Sequence, residues 1–474
     1  MRRERGKCPA DGTTIDKTGR WVYNDVNPDY PKKECTQMKR MAKNLILLAM
    51  LLALLLPAAL AEAVEIVAEE DDLEEAVTEQ VQELDLSDGA LEAEDPGAED
   101  PGVVSNGTEA AENASGSITI DSSHFPDYNF RSYISTDIDN GDGVLTKAER
   151  ESVYTLACYQ MYITSLKGIE YFPNAKTLLC SMNSLTELDC SKNKKLTYLN
   201  CSMNQLTRLN IKGCSKLTFL DCSNNQLTSL NVTEMKDLGK IWCFYNELKS
   251  LNVSKNKKLQ VLLCDGNQLK RLDVSKNTKL TELDCGRNQL SALKVDKLKQ
   301  LRILRCSENQ LKSLNVKKNT RLELLECYAN QLKKLDISKN KKLNSLSCSN
   351  NQLTQLNVRK NTKLSFLSCG ENGLKKLDLS KNPKLTMLQC GGCKLTSITF
   401  AKKSKALYCI ICSDNPLKKL DVARVPLLVS GIDYPNPSGR GRDDVVWYGS
   451  SGTTLEIPLG TKVVNGKKTL YNPA

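Results

Sequence analysis

The chain of 474 residues carries a single histidine, His124, together with only 7 Phe and 3 Trp. With one imidazole and no second to act as base or ligand, most Ser/His, Cys/His and histidine-metal constellations are ruled out. So few large aromatics argue against the varied core of a globular enzyme, and 19 cysteines beside them point to a repeat. Carboxylate or cysteine chemistry remains open.

Charge is unevenly spread. Residues 62–112 hold nineteen Asp and Glu and no Lys, Arg or His, so the net charge of +10 conceals a much more basic remainder. Lysines recur in one loop of nearly every repeat, as at Lys192, Lys255, Lys276, Lys339 and Lys381. That regularity reads as a solvated rim, not a nucleic-acid surface, and leaves an acidic ligand or an anionic cell-wall polymer open.

Residues 38–61 begin with Lys39, Arg40 and Lys43, continue as an apolar core and end in small residues, the pattern of a secretory signal peptide. Cleavage at Ala59-Leu60-Ala61 or Ala61-Glu62-Ala63 starts the mature chain at Glu62 or Val64. Residues 1–37 are then either a start-site overcall, with synthesis beginning at Met38 or Met41, or a cytosolic tail before a signal anchor. The apolar stretch of about 17 residues, with Pro57 inside it, is short for a span, so no stable membrane span is expected after cleavage. Residues 62–116 are acidic and poor in aromatics and cannot bury a core, which predicts a disordered linker.

Cysteines at 180, 201, 222, 243, 264, 285, 306, 327, 348, 369 and 390 are spaced by 21 without a break. Around each runs L-x-x-L-x-C-x-x-N-x-L, as in Leu196, Leu199, Cys201, Asn204 and Leu206; one more coil fits after a one-residue insertion, at Leu407, Ile410, Cys412, Asn415 and Leu417. A period this strict predicts a solenoid, here of about twelve coils over residues 176–424. Alternation in Leu199-Asn200-Cys201 points Leu and Cys inward, and a buried turn needs an amide to satisfy its backbone. The second half of each coil, Leu206-x-x-Leu209-x-Ile211, repeats the logic on the opposite wall and leaves no room for a helix.

Over these residues the chain resembles the leucine-rich-repeat family, particularly secreted internalin-like proteins of Gram-positive bacteria. The resemblance implies a β-rich solenoid with one concave parallel sheet, asparagines bonded to the turns of neighbouring coils, and a role in binding at a cell surface.

The flanks lose the period. Residues 117–175 hold Phe125-Pro126, a helix-like run through Ile134, the turn DIDNGDGVLTKAE and a second helix, and predict a small α-helical N-terminal cap. Similar segments in related proteins look like an EF-hand-like turn. Against a twelve-residue calcium loop ending at Glu149, with Gly143 at the sharp bend, Asn140, Asp142 and Val144 fall on ligand positions. Ile138 takes the first position, which Asp137 or Asp139 could fill only with an extra residue. The plainer alternative is that Thr146 and Glu149 form a capping box for the next helix. Residues 425–474 are β-rich around Trp447-Tyr448-Gly449 and predict a C-terminal cap of two or three strands covering the last coil.

Cys390-x-x-Cys393 and Cys409-x-x-Cys412 match a four-cysteine zinc pattern in spacing. The repeat frame turns Cys390 and Cys412 inward, puts Cys393 in the turn and Cys409 on the outward face, so the four sulfurs do not converge. In-register parallel cysteines have poor disulfide torsions, and 17 remain after cleavage, an odd number. Buried free thiols are expected.

Function must then lie in the outward positions that vary. The residues three before and one before each cysteine place Tyr198, Phe219, Trp242, Val261 and Leu263 near one another, with Phe244 and Tyr245 beside them. Such a cluster suits a protein or glycan ligand on the concave face; coverage by a cap or loop is the competing explanation. Acidic pairs such as Asp221 with Asp284 and Glu282 are three coils apart, which predicts no glycosidase and no enzyme. The expected protein is a monomer, secreted or on the extracellular surface, that binds no nucleic acid. A structural or adhesion role in the cell envelope, held by the basic surface, is the alternative.

Overall fold

In the computed structural model the described residues are 116–402 and 404–425, with the strands Thr13–Ile15, Trp21–Tyr23, Asp444–Tyr448, Thr454–Pro458, Lys462–Asn465 and Lys468–Tyr471. The leader at 38–61 and nearly all of the acidic linker lie outside them. The chain divides into two units, Met1–Val104 and Ser105–Ala474. In the first, Thr13–Ile15 pairs antiparallel with Trp21–Tyr23; everything below concerns the second.

The 21-residue frame folds as it reads. Each coil contributes one three-residue strand ending just before its cysteine, such as Tyr198–Asn200, Phe219–Asp221 and Lys240–Trp242. Successive strands pair in parallel and exact register, so equivalent residues form columns along the sheet. The central leucine of each strand and the following cysteine point inward and are buried, for example Leu283 and Cys285. Each leucine so placed contributes about 1.5–3 kcal/mol, but only because the next coil covers it, which is why the coils are stable as a stack and not singly.

After the cysteine the chain must turn sharply. It does so with a left-handed residue two positions on, from Met182 and Met203 to Arg287 and Glu308, most of them not glycine. Such a conformation is unfavourable for a residue with a Cβ, and the asparagine one step further offsets it. Asn225 Nδ2 donates to the carbonyls of Cys201 at 3.0 Å and Cys222 at 3.1 Å, while its Oδ1 accepts from Leu206 N–H at 2.9 Å. The same pattern recurs from Asn183 to Asn372 and at Asn415. Cys393 replaces this asparagine in one coil, and its thiol donates to Cys369 O at 3.4 Å.

The opposite wall is buried by Leu227, Leu230 and Val232 and their equivalents. Its strands are few, as in Glu187–Asp189 with Arg208–Asn210 and Lys376–Asp378 with Ser397–Thr399. A second asparagine column lies in the turn that leaves this wall: Asn256, Asn277, Asn319, Asn340, Asn361 and Asn382 are all buried.

The main sheet has fifteen strands, more than the repeat frame supplies. One coil precedes residue 176: Thr155–Ala157 pairs with Thr177–Leu179, and Cys158 sits buried ahead of Cys180 at a spacing of 22. At the far end Thr454–Pro458 pairs in parallel with Cys409–Ile411 and antiparallel with Asp444–Tyr448. Lys462–Asn465 extends the other wall through Lys419–Asp421 and pairs with Lys468–Tyr471. The C-terminal segment thus supplies four strands where two or three were expected, because it continues both walls instead of one. It also changes the place of Cys409, expected on the outward face but buried, with the added strand beside it.

Helix α1 (Tyr128–Asp137) and helix α2 (Lys147–Ser152) precede the first coil. Asp127 caps α1 by accepting from Phe130 N–H and also binds the Thr164 hydroxyl at 2.7 Å. Phe125, Phe130 and Ile134 bury against the first coils. No helix of the described residues is long and apolar enough to cross a membrane.

Candidate binding face

The outward columns of the main sheet bring the aromatic residues together. Tyr198 stacks on Phe219 with ring centroids 4.3 Å apart and planes at 12°, and Phe219 meets Trp242 edge-on at 5.2 Å. Leu263 pairs in register with Trp242. Val261 is the partner of Lys240, which is exposed and interrupts the column between Phe219 and Val261. All five apolar residues are part-buried, and Trp242 Nε1–H, though covered, has no hydrogen-bond partner. Beneath them Asp221 is 5% exposed and accepts from the Ser223 hydroxyl at 2.6 Å and its N–H at 3.0 Å. Burial raises its pKa, and raises the Tyr198 phenol to about 12.

Phe244 and Tyr245 form a second pair, edge to face at 5.8 Å, in the turn beside this strip. Tyr245 reaches along the turns to hydrogen-bond Arg287, two coils away, whose guanidinium also lies 5.9 Å from the ring centre. Gly266 occupies the coil between. A Cβ there would come within 2.5 Å of the Tyr245 ring, so the missing side chain is what lets the tyrosine lie flat.

Arg287 opens a charged network that the sequence reading did not assemble. It pairs with Glu308 at 3.1 Å and lies 3.8 Å from Asp265. Arg305 bonds Glu282 at 2.7 Å and lies 3.7 Å from Glu326. Asp284 stands in the column between Leu263 and Arg305. Its one hydrogen bond comes from Gly286 N–H at 3.1 Å. Burial first, and the neighbouring Asp265 second, push its carboxyl up to about 7. Asp221 and Asp284 lie three coils apart in separate surroundings. Beyond Glu326 the columns become uncharged, with Ser345, Phe366 and Met387 in one and Ser347, Ser368 and Gln389 in the other. Aromatic strip and charged network thus form one surface from Tyr198 to Glu326, joined at Tyr245 and Arg287.

No protein-family model matches the chain, and no curated protein matches its sequence. Solved structures do share its architecture. The functional domain of InlJ from Listeria monocytogenes, described as including a cysteine ladder, is covered over 100% of its length by 74% of this chain, at 24% identity and a TM-score of 0.52. The internalin InlF of Listeria monocytogenes is covered over 96% by 66% of this chain, at 22% identity and a TM-score of 0.58. The chain folds as a leucine-rich repeat. At these identities the likeness shows the fold, and the functional reading rests on the surface itself.

Within the leucine-rich repeat the cysteines are packing residues. All seventeen from Cys158 onward are buried, and burial pushes the thiols of Cys158 and Cys327 up to about 12. A neutral buried thiol behaves as a small hydrophobe. Among the described residues no three His, Cys, Asp or Glu side chains converge as metal donors.

The turn before α2 uses its acids internally. Glu149 accepts from Asn140 N–H at 3.2 Å and Thr146 N–H at 2.7 Å, completing the capping box with Thr146. Asp139 accepts from Gly143 N–H at 3.0 Å, Asp142 from Val144 N–H at 2.8 Å and Asp137 from the Thr136 hydroxyl at 2.7 Å. These bonds hold the shape of the turn, while Asp139 Oδ1 is buried without a hydrogen-bond partner. Calcium at this loop forms no part of the function proposed below.

Proposed function

We propose that this is an exported binding protein that holds a protein or glycan ligand on the concave face of its leucine-rich repeat, between Tyr198 and Glu326, and performs no chemistry of its own. The observation that carries the reading is the continuity of that surface: a part-buried aromatic strip and a charged network, joined across two coils by Tyr245 and Arg287. Aromatic anchors beside charge are what binding hot spots use. The signal-peptide pattern at 38–61 supports export, and the protein works as a monomer at a cell surface. The test is capture of cell-surface and cell-wall material by the chain and by its Trp242→Ala/Tyr245→Ala double variant, with folding checked by circular dichroism. Loss of capture in the variant is expected; equal capture by both proteins would sink the assignment.

A structural or adhesion role is favoured by a different observation. Lys192, Lys255, Lys276, Lys339 and Lys381 are all exposed along one rim. Rim binding would be abolished by raised salt, whereas binding through the aromatic strip would persist.

A further inference from the structure

Around the main sheet the protein pairs its charges from coil to coil; in the turn that leaves the opposite wall it does not. Lys318, Lys339, Lys360 and Lys381 each stand just before an asparagine of the second column, and Arg321, Lys342, Lys363 and Lys384 three positions on. All eight are exposed, and among the described residues none has an ion-pair partner. The acids around them are already engaged. Asp336 pairs with Lys317 at 3.0 Å, Asp378 with Arg359 at 2.8 Å and Glu323 with Arg302 at 2.8 Å, Lys342 and Lys363 acting on Glu323 only from farther away.

The two rows are held from beneath. Asn319 Nδ2 donates to Leu298 O, Asn340 Nδ2 to Asn319 O and Asn382 Nδ2 to Asn361 O, each at 2.8 Å, and Asn361 Nδ2 to Asn340 O at 2.9 Å. Each turn is thus bonded to the one before, which spaces the cations by one coil, about 4.8 Å, over four coils. Like charges so close repel one another, and the fold itself gains nothing from aligning eight of them. Nor do the rows run the whole rim. Glu234 takes the place of the lysine between Lys212 and Lys255 and accepts from Gly213 N–H at 3.0 Å, Asp237 pairs with Lys258 at 2.8 Å, and Gln300 stands one coil ahead of Arg321.

We propose that the four turns from Lys318 to Lys384 form a binding site for a linear anionic polysaccharide, which lies along the stack with its carboxylate or sulfate groups between the two rows of cations. This rests on the reading of the lysine rim as an adhesive surface; it narrows that surface to four coils and names the ligand. Seven of the eight cations are lysines, point charges without the planar fork of arginine, so they suit a repeated charge more than one anion of fixed shape. Residues 317–322, 338–343, 359–364 and 380–385 contain no aromatic on which a nucleic-acid base could stack. Their apolar residue is the buried leucine, as at Leu322 and Leu343, so a folded acidic protein finds no anchor there. Between the rows stand Thr320 and Thr362, exposed hydroxyls that match the ring hydroxyls of a sugar.

The experiment titrates the full chain with heparin-derived oligosaccharides in a calorimeter. The triple variant Lys339→Gln/Lys360→Gln/Lys381→Gln is expected to bind about tenfold more weakly or worse, the effect of three lost ion pairs. Lys192→Gln/Lys212→Gln/Lys255→Gln removes the same charge from coils outside the double row. It changes affinity by less than about threefold, because those lysines lie beyond the distance at which salt lets a charge act. All six substitutions fall on exposed turn residues, and circular dichroism checks that both variants keep the fold. Trp242→Ala, on the other face, leaves binding unchanged; a loss there would move the ligand off the rim. Equal losses from the two lysine sets would mean that only net charge is read, which overturns the four-coil site and leaves the adhesive rim standing. No binding by the wild type, or binding that neither set weakens, would overturn the rim reading as well. Tighter capture of oligothymidylate or polyglutamate of equal charge would overturn the choice of a polysaccharide.

Discussion

The two asparagine columns of this solenoid look alike in the sequence and do different work. In the turn after each cysteine, both ends of the amide are bonded: Asn309 Nδ2 donates to Cys285 O at 3.0 Å and Ser307 O at 3.0 Å, and its Oδ1 accepts from Leu290 N–H at 2.9 Å. In the turn that leaves the opposite wall, Asn319 Nδ2 donates to Val295 O and Leu298 O at 2.8 Å each, while its Oδ1 is buried without a partner. The chain itself shows the consequence. The second column tolerates Cys214, Met235 and Leu298 in place of asparagine, whereas the first departs only at Cys393 and, in the coil before residue 176, at Met161. A column in which each amide closes the backbone on both sides is a requirement of the fold; one in which half the amide goes unused is a preference.

The sharpest way to break this comparison is Asn309→Ala. It leaves the buried Leu290 N–H unpaired, at about 1–3 kcal/mol, and removes the amide's bonds to the carbonyls of Cys285, Cys306 and Ser307, each of which keeps one other donor, so a loss of about 3 kcal/mol is expected in urea denaturation. Next in size is Cys306→Ser, which puts a hydroxyl where a thiol packs with no exposure, with an expected loss of about 1–3 kcal/mol in the same assay. Asn319→Leu imitates what the chain already does at Leu298 and is expected to cost less than about 1 kcal/mol, since it removes an unsatisfied oxygen along with two bonds. A loss as large as that of Asn309→Ala would erase the distinction between the columns.

The smallest effect concerns the same contrast on the main sheet, where Asp221 is held by two bonds from Ser223 and Asp284 by one from Gly286. The Asp284 carboxyl is raised from its ordinary value of 3.8 to about 7, so between those values the native chain keeps a proton that the unfolded chain releases. Stability from this group therefore falls as pH rises from about 4 to about 7. Melting curves of the wild type and Asp284→Asn should diverge with pH across that window, the variant gaining relative stability towards neutrality. Parallel curves would show that the carboxyl is ordinary.

The coil was legible because its causes are periodic. A cysteine every 21 residues, with leucines at fixed offsets, specified the strand, the buried face and the in-register columns, and hence the contact of Tyr198 with Phe219 and of Phe219 with Trp242. The first coil was hidden because Cys158 stands 22 residues from Cys180 and so falls out of the count. The charged half of the face was hidden for another reason. Asp265, Arg287 and Glu308 lie in the turns, not on the strands, and singly each resembles a solvated surface charge. Only the absent side chain at Gly266 lets Tyr245 span two coils and tie them to the aromatic strip. A glycine at a position where the other coils mostly carry side chains was the available signal. The four C-terminal strands could not be counted from residues 425–474 because nothing periodic marks where the chain passes from one wall to the other.

The column of buried cysteines gives this protein a built-in record of its own opening. A thiol sealed between two coils is beyond the reach of an alkylating reagent until one of its neighbours peels away, and each coil holds its own. Mass spectrometry of partly alkylated chains would therefore read out, cysteine by cysteine, where the stack first comes apart and in which direction the rupture travels.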